Sequence, residues 1–379
     1  MKFMKKIMAV LGTVFIILLS GCSEAAPIPD APFEIDGLVC SERVSLSYAE
    51  QFAIDRYEGG YSAIHTMNGE SYLIVPDGKD IPKGLSEDIT IIKQPLANVY
   101  LTATSAMGFF AELGQGEAVR FSGTRAEDWY IDYAREAMES GSILYAGRYR
   151  EPDYELLLEK NCGLSIQSTM LSHSPEVKEK LNELGIPVFV DYSSYESHPL
   201  GRSEWIRVYG EMTGAYELAD RLFEEQAGKL EAISEKETGK KVAFFYISSS
   251  GQAVTRKSGD YITKMIELAG GENVFEAPGD DKATSSVTME MEQFYSQAVN
   301  ADIIIYNSTI DGELTSISEL TAKNGLLADF KAVKNGDVWC TGENLFQETM
   351  KLGTVISDLN SIFTGNAEEK PPAFLFRLE

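Results

Sequence analysis

Few side chains here have the types and spacing of a catalyst. The chain has only three histidines, His65, His173 and His198. None sits in an H-E-x-x-H pattern, which removes the commonest zinc-hydrolase helix. No G-x-S-x-G nucleophile turn and no phosphate-cradling glycine loop occurs. The 58 acidic residues would supply a chance carboxylate pair in almost any fold, so pairs carry no information. Four cysteines lie at positions 22, 40, 162 and 340, with no C-x-x-C and no Cys/His cluster, so a structural zinc site is not expected. The sequence gives no positive support for an enzyme, and none for a bound cofactor or directly ligated metal.

Cys22 has a different chemistry. Lys2, Lys5 and Lys6 precede the apolar run from Ile7 to Leu19, too short to span a bilayer comfortably and laid out like a secretory signal. Leu19-Ser20-Gly21-Cys22 resembles the bacterial lipobox, in which the cysteine is acylated and becomes the new N-terminus. Residues 1–22 are therefore expected to be a lipoprotein signal, 23–35 a tether, and the body extracytoplasmic and held to the membrane through lipid on Cys22. Of Cys40, Cys162 and Cys340, an odd set, at least one thiol stays single.

The body needs elements to position whatever it binds. Its 379 residues suggest two lobes. A formal charge of −25 argues against nucleic acid as a partner. After β-rich segments at Glu42–Tyr48, Tyr61–Thr66, Ser71–Val75 and Ile89–Ile92, helical and strand signals alternate. Asp132–Ser140, Glu155–Lys160 and Pro175–Leu184 read as helices, with strands at Ala118–Phe121, Leu164–Ile166 and Pro187–Asp191. That alternation predicts a parallel sheet covered by helices. From Ser203, residues Trp205, Val208, Tyr209, Met212, Tyr216, Ala219, Leu222 and Phe223 recur at three- or four-residue steps, predicting one long helix over 203–236. Beyond it the alternation restarts, with a strand at Val242–Ile247, a helix at Tyr261–Leu268 and a strand at Ile303–Tyr306. The boundaries expected are 36–202, 203–236 and 237–379: lobe, bridging helix, lobe.

Several segments resemble one family. Tyr154-Glu155-Leu156-Leu157-Leu158 before Leu164-Ser165-Ile166, Leu184-Gly185-Ile186-Pro187-Val188, and His198-Pro199-Leu200-Gly201-Arg202 are similar to the N-lobe of the iron-complex and cobalamin substrate-binding proteins of ABC importers. Leu268-Ala269-Gly270-Gly271-Glu272-Asn273-Val274 and the segment from Phe330 to Val338 are similar to its second lobe. The resemblance covers about residues 85–365; residues 36–84 depart from it in being longer and more β-rich. It implies a fold of the α/β class, two Rossmann-like lobes joined by one rigid helix, with a ligand held noncovalently between them. It also implies an ABC permease as partner, docked through a glutamate on each lobe. By position these are Glu155 and Glu292, with Glu290 the alternative to the second.

A cleft that holds a chelate needs aromatic faces and a few cations or hydroxyls, where strands end and helices begin. Ser105 and Met107, then Tyr145, Arg148 and Tyr149, then Tyr192, Tyr195 and Arg202 answer this in the first half. Tyr246, Arg256, Tyr261 and Trp339 answer it in the second. Arginines in so acidic a protein suit an anionic ferric chelate, with cobalamin and haem as runners-up and a monomer as the expected state. A membrane-anchored hydrolase and an adhesion module are the rivals from other classes.

Overall fold

The computed structural model describes residue 28 and residues 31–234, 237–275 and 285–379. Cys22 and the signal segment lie outside these.

The β-rich beginning forms a sheet of its own. Its five strands, Cys40–Arg43, Phe52–Tyr57, Ser62–Thr66, Ser71–Val75 and Ile89–Lys93, lie side by side in chain order, antiparallel until the last pair, which is parallel. Side-chain alternation gives it two apolar faces. Phe52, Ile54, Ile64, Tyr72, Ile74 and Ile92 enter the core of the first lobe. Tyr57, Ala63, Leu73 and Val75 face outward and are covered by Phe33, Ile35 and Leu38. Phe33 is fastened at both ends of its peptide unit: its N–H donates to Asp55 Oδ2 at 3.0 Å, and Tyr57 Oη donates to its carbonyl at 2.6 Å. Residues 33–35, expected in the tether, therefore belong to the fold. Burial alone would raise the Asp55 carboxyl, but hydrogen bonds from His65, Arg43 and Phe33 hold it at about 2.

Two buried carboxylates join this sheet to the lobe. Glu204 accepts the backbone N–H groups of Ser47, Tyr48 and Ala49, each at 2.8 Å. Glu196 accepts those of Glu50 and Gln51 at 2.9 Å, together with Trp205 Nε1 at 2.9 Å. The sequence suggests a strand continuing to Tyr48; instead the loop after Arg43 wraps these acids, because a buried charge needs several donors.

The first lobe carries a parallel sheet ordered Val188–Asp191, Leu164–Ser168, Val99–Leu101, Val119–Ser122, Leu144–Tyr145. The second has seven strands, with Lys240–Ile247, Ile303–Tyr306 and Val338–Thr341 parallel at its centre. Ala253–Arg256 and Ser286–Met289 form one antiparallel flank and Leu375–Arg377 the other.

The expected helix over 203–236 is divided. Pro199–Glu204 and Ile206–Thr213 are followed by Gly214, whose φ of 77° is a left-handed conformation that ends a helix, and then by Tyr216–Glu231. The second piece folds back on the first so tightly that a Cβ on Gly210 would lie 2.5 Å from Ala219 Cβ. The apolar stripe runs through the break because both pieces bury the same core: Val208, Tyr209, Met212, Ala219 and Phe223 are all 0% exposed. Only Tyr216–Glu231 crosses between lobes, a length of about 24 Å at 1.5 Å per residue. Ala227 belongs to the first core, Leu230 touches both, and Ile233 belongs to the second.

Candidate functional site

The carboxyl ends of parallel strands leave backbone groups and helix N-termini facing a crevice, and here both lobes turn such ends toward each other. A cavity of about 680 Å³ lies between them. On one wall, Thr102–Ser105 follow Val99–Leu101, Thr169 and Met170 follow Leu164–Ser168, and Ser193–Tyr195 follow Val188–Asp191. On the other, Arg256, Asp260 and Tyr261 stand between a strand and the start of helix Tyr261–Leu268, and Leu345 and Phe346 follow Val338–Thr341.

Two guanidinium groups, Arg202 and Arg256, share the lining with the acids Asp191 and Asp260. Arg202 donates from Nε to the Glu196 carbonyl at 3.1 Å and from Nη2 to the Ser194 carbonyl at 2.7 Å, so its hydrogen bonds go to neutral oxygens rather than carboxylates. Its guanidinium carbon lies 3.6 Å from the centre of the Tyr261 ring on the opposite lobe. Burial lowers its pKa, while Tyr261, Asp260 and Glu196 support the charge and Arg256 opposes it. Arg256 stands 5.2 Å from the Phe346 ring, with Nη1 3.8 Å from Asp260 Oδ2. Burial pushes the Tyr261 phenol up to about 12, so it is a protonated donor at neutral pH. In the same lining, Asp191 is 2% exposed and accepts from Ser193 N at 2.9 Å, from Ser193 Oγ at 2.5 Å and from Tyr209 Oη. Its pKa is raised by burial against the pull of those donors. The carboxylate shapes the Ser193–Tyr195 turn whose carbonyls hold Arg202.

Of the side chains expected at a ligand, Ser105, Tyr149, Tyr195, Arg202, Arg256 and Tyr261 stand on this cavity. The other six do not. Met107 points inward from helix Thr104–Glu112 and is 0% exposed within the first core. Tyr145 lies under the Arg125 guanidinium at 4.3 Å, and Arg148 projects outward from the short hairpin Gly147–Arg148/Glu151–Pro152. Tyr192 packs against the first lobe behind Tyr195, ring centres 5.7 Å apart. Tyr246 packs against the outer core of the second lobe. Trp339 is near the beginning of its strand, not the end, and borders a separate cavity at the far side of that lobe.

Sequence reasoning overlooked Asp260, Met170 and Phe346. Asp260 had a signal, a Ser-Gly-Asp run before a helix; its carboxylate accepts Ile262 N at 3.0 Å as the cap. Phe346 had none; it ends a single 3₁₀ turn, Glu343–Phe346, too short to carry a periodic signal.

Glu155 and Glu292 are exposed in the first turns of Tyr154–Glu159 and Met291–Ala298. Each helix leaves the carboxyl end of its lobe's sheet, the end that builds the cavity. Glu290 is also exposed; it stands at the N-cap position of the second helix without a capping bond of its own, and accepts Gln252 Nε2 at 2.6 Å. Cys40, Cys162 and Cys340 are all free thiols; burial pushes the Cys162 thiol up to about 12 and Cys340 up to about 11. Among the described residues, no three His, Cys, Asp or Glu side chains gather as a metal site.

Two α/β lobes, one crossing helix and a polar-aromatic cavity between facing strand ends define the class III type of binding-protein fold. The chain belongs to the periplasmic binding protein family, which it matches over residues 99–345. An uncharacterized lipoprotein of Methanocaldococcus jannaschii is 23% identical over 315 residues, covering 80% of this chain and 74% of that one. A second from the same organism is 26% identical over 305 residues, covering 76% and 74%. Among solved structures, a periplasmic haem-binding protein of Pseudomonas aeruginosa superposes with a TM-score of 0.58 at 15% identity, covering 75% of this chain and 98% of that one. The periplasmic catecholate-siderophore binding protein VctP of Vibrio cholerae gives 0.57 at 15%, covering 71% and 94%. These likenesses are likenesses of fold.

Proposed function

We propose that this protein is a lipid-anchored, extracytoplasmic substrate-binding protein that captures an anionic iron chelate of the siderophore kind and hands it to an ABC permease. The observation that carries the reading is the pair Arg202 and Arg256. Two cations face one cavity in a chain of net charge −25, and the hydrogen bonds of one are spent on carbonyls. Arg202 makes no ion pair among the described residues; Asp260 and Glu196 offset its charge only at longer range, which leaves much of it for an anionic ligand. Tyr149, Tyr195, Tyr261 and Phe346 supply aromatic faces, and Ser105, Ser193 and Thr169 supply hydroxyls. The iron-chelate and haem proteins that share the fold, the lipobox at Cys22 and the lipoprotein relatives support the same reading.

The mechanism needs no bond made or broken in the ligand. The chelate displaces water from the cavity and its negative groups pair with the two guanidinium groups. The short crossing helix limits closure to a modest angle. Glu155 and Glu292, one per lobe, meet basic residues on the permease, which fixes orientation and raises the on-rate. Release follows when the transporter parts the lobes. Haem is the second reading, because its two carboxylates suit the same arginines. Quenching of intrinsic fluorescence by a ferric catecholate, a ferric hydroxamate, haem and cobalamin tests the proposal. Saturable quenching by the anionic chelates is the expected result, and silence across the panel overturns it.

A further inference from the structure

The crossing helix is not the sole tie between the lobes. After strand Val338–Thr341 the chain stays with the second lobe as far as Leu345, which lies in that lobe's core. It then passes to the first lobe. Gln347 uses both ends of its amide on one loop there: Oε1 accepts Tyr130 N at 2.9 Å and Nε2 donates to the Asp128 carbonyl at 2.8 Å. The Thr349 carbonyl accepts Ser203 Oγ at 2.7 Å, Met350 is 1% exposed inside the first lobe's core, and Lys351 pairs with Glu112. At Leu352 the chain rejoins the second core and begins helix Leu352–Phe363. A segment that leaves one hydrophobic core, plants a methionine in the other and returns is a strap. It lies beyond the residues that match the family.

The strap also forms part of the cavity wall. Leu345, Phe346, Thr349 and Leu352 all border it, and Phe346 packs edge-on to Tyr261 at 6.3 Å and beneath Arg256. We propose that Gln347 is a positioning residue: by clamping the strap to Asp128–Tyr130 it fixes the separation of the two cavity walls, and hence where Phe346 and Arg256 stand relative to Arg202. A side-chain amide is suited to this, because one planar group must both accept an N–H and donate to a carbonyl two residues away. Glutamate keeps the size and loses the donor.

The Tyr130 amide is a native reporter, since its acceptor belongs to the strap. In the ligand-free protein, Met350→Ala, which removes the strap's anchor in the first core and alters neither Gln347 nor Tyr130, is expected to speed hydrogen exchange at that amide about tenfold, with amides of the strand Leu164–Ser168 unchanged. Gln347→Glu alters a half-buried side chain. It is expected to increase the radius of gyration by X-ray scattering while shifting the melting temperature by no more than about 2 °C. Unchanged Tyr130 exchange in Met350→Ala, or an unchanged scattering curve in Gln347→Glu, overturns the strap. Neither readout uses a ligand, so failure here is separate from failure of the proposed function.

Discussion

Replacing Arg202 with glutamine removes a positive charge from the cavity while leaving an amide nitrogen at the position of Nε, able to keep the bond to the Glu196 carbonyl but not the one to Ser194. A unit charge about 5 Å from one ligand anion, at an effective dielectric near 20, is worth about 3 kcal/mol. That corresponds to about a hundredfold in affinity. Arg256 is partly neutralised by Asp260 at 3.8 Å, so its removal should cost about 1 kcal/mol, or roughly fivefold. Titration of each variant with a ferric catecholate and with a neutral ferric hydroxamate, followed by fluorescence quenching, separates charge from packing. The expected pattern is a large loss for Arg202→Gln and a small one for Arg256→Gln with the anionic chelate, and changes under about threefold with the neutral one. Equal losses for both chelates, or a greater loss at Arg256 than at Arg202, would refute the reasoning that the Arg202 charge is free to pair with ligand.

Three other outcomes follow from the described contacts. The His198 imidazole is lowered from 6.5 to about 4 by burial and by Lys264. The unfolded chain binds that proton more readily, so the contribution to stability is whole above pH 6.5 and is lost as pH falls toward 4. Screening at this half-exposed group leaves about 1–2 kcal/mol, and His198→Asn should flatten this part of the acid limb in urea midpoints measured between pH 7 and 4.5. Glu204→Gln turns one acceptor into a donor against a backbone N–H and should cost about 2–4 kcal/mol by urea denaturation; a cost under about 0.5 kcal/mol would mean the 47–49 loop is held by other contacts. Charge reversal at Glu155 and Glu292 together should abolish stimulation of the permease ATPase in proteoliposomes with chelate affinity unchanged, and full stimulation would remove both residues from the docking surface.

The alternation of helix and strand was legible because each lobe is built from short βα units whose period changes are local. Segments such as Pro175–Glu183 and Tyr261–Leu268 carry their own start and stop signals. The break at Gly214 was hidden because the chain folds back onto the same core, so the buried stripe never changes phase. Strand Phe52–Tyr57 was missed because Asp55 and Arg56 interrupt its apolar run. Both are paired, with Arg43 and with Glu211, which periodicity cannot show. For the cavity, the rule that ligands meet strand ends found Tyr195, Arg202, Arg256 and Tyr261. It misplaced Trp339 and Met107, because position within a strand or helix decides which way a side chain faces. The strap could not be foreseen, since nothing local distinguishes Met350 in the first core from Met350 in the second.

Fastening Phe33 to Asp55 and Tyr57 has a consequence for how the molecule works at a surface. Were the proposed lipid attached at Cys22, the eleven peptide units from there to Phe33 could span no more than about 40 Å. The extra sheet would then be a mooring post that sets how far the body can stand from the bilayer. Under the same proposal the search for a permease would become a walk in two dimensions at high local concentration, for which even a weak, salt-sensitive handshake between acidic and basic rims would suffice.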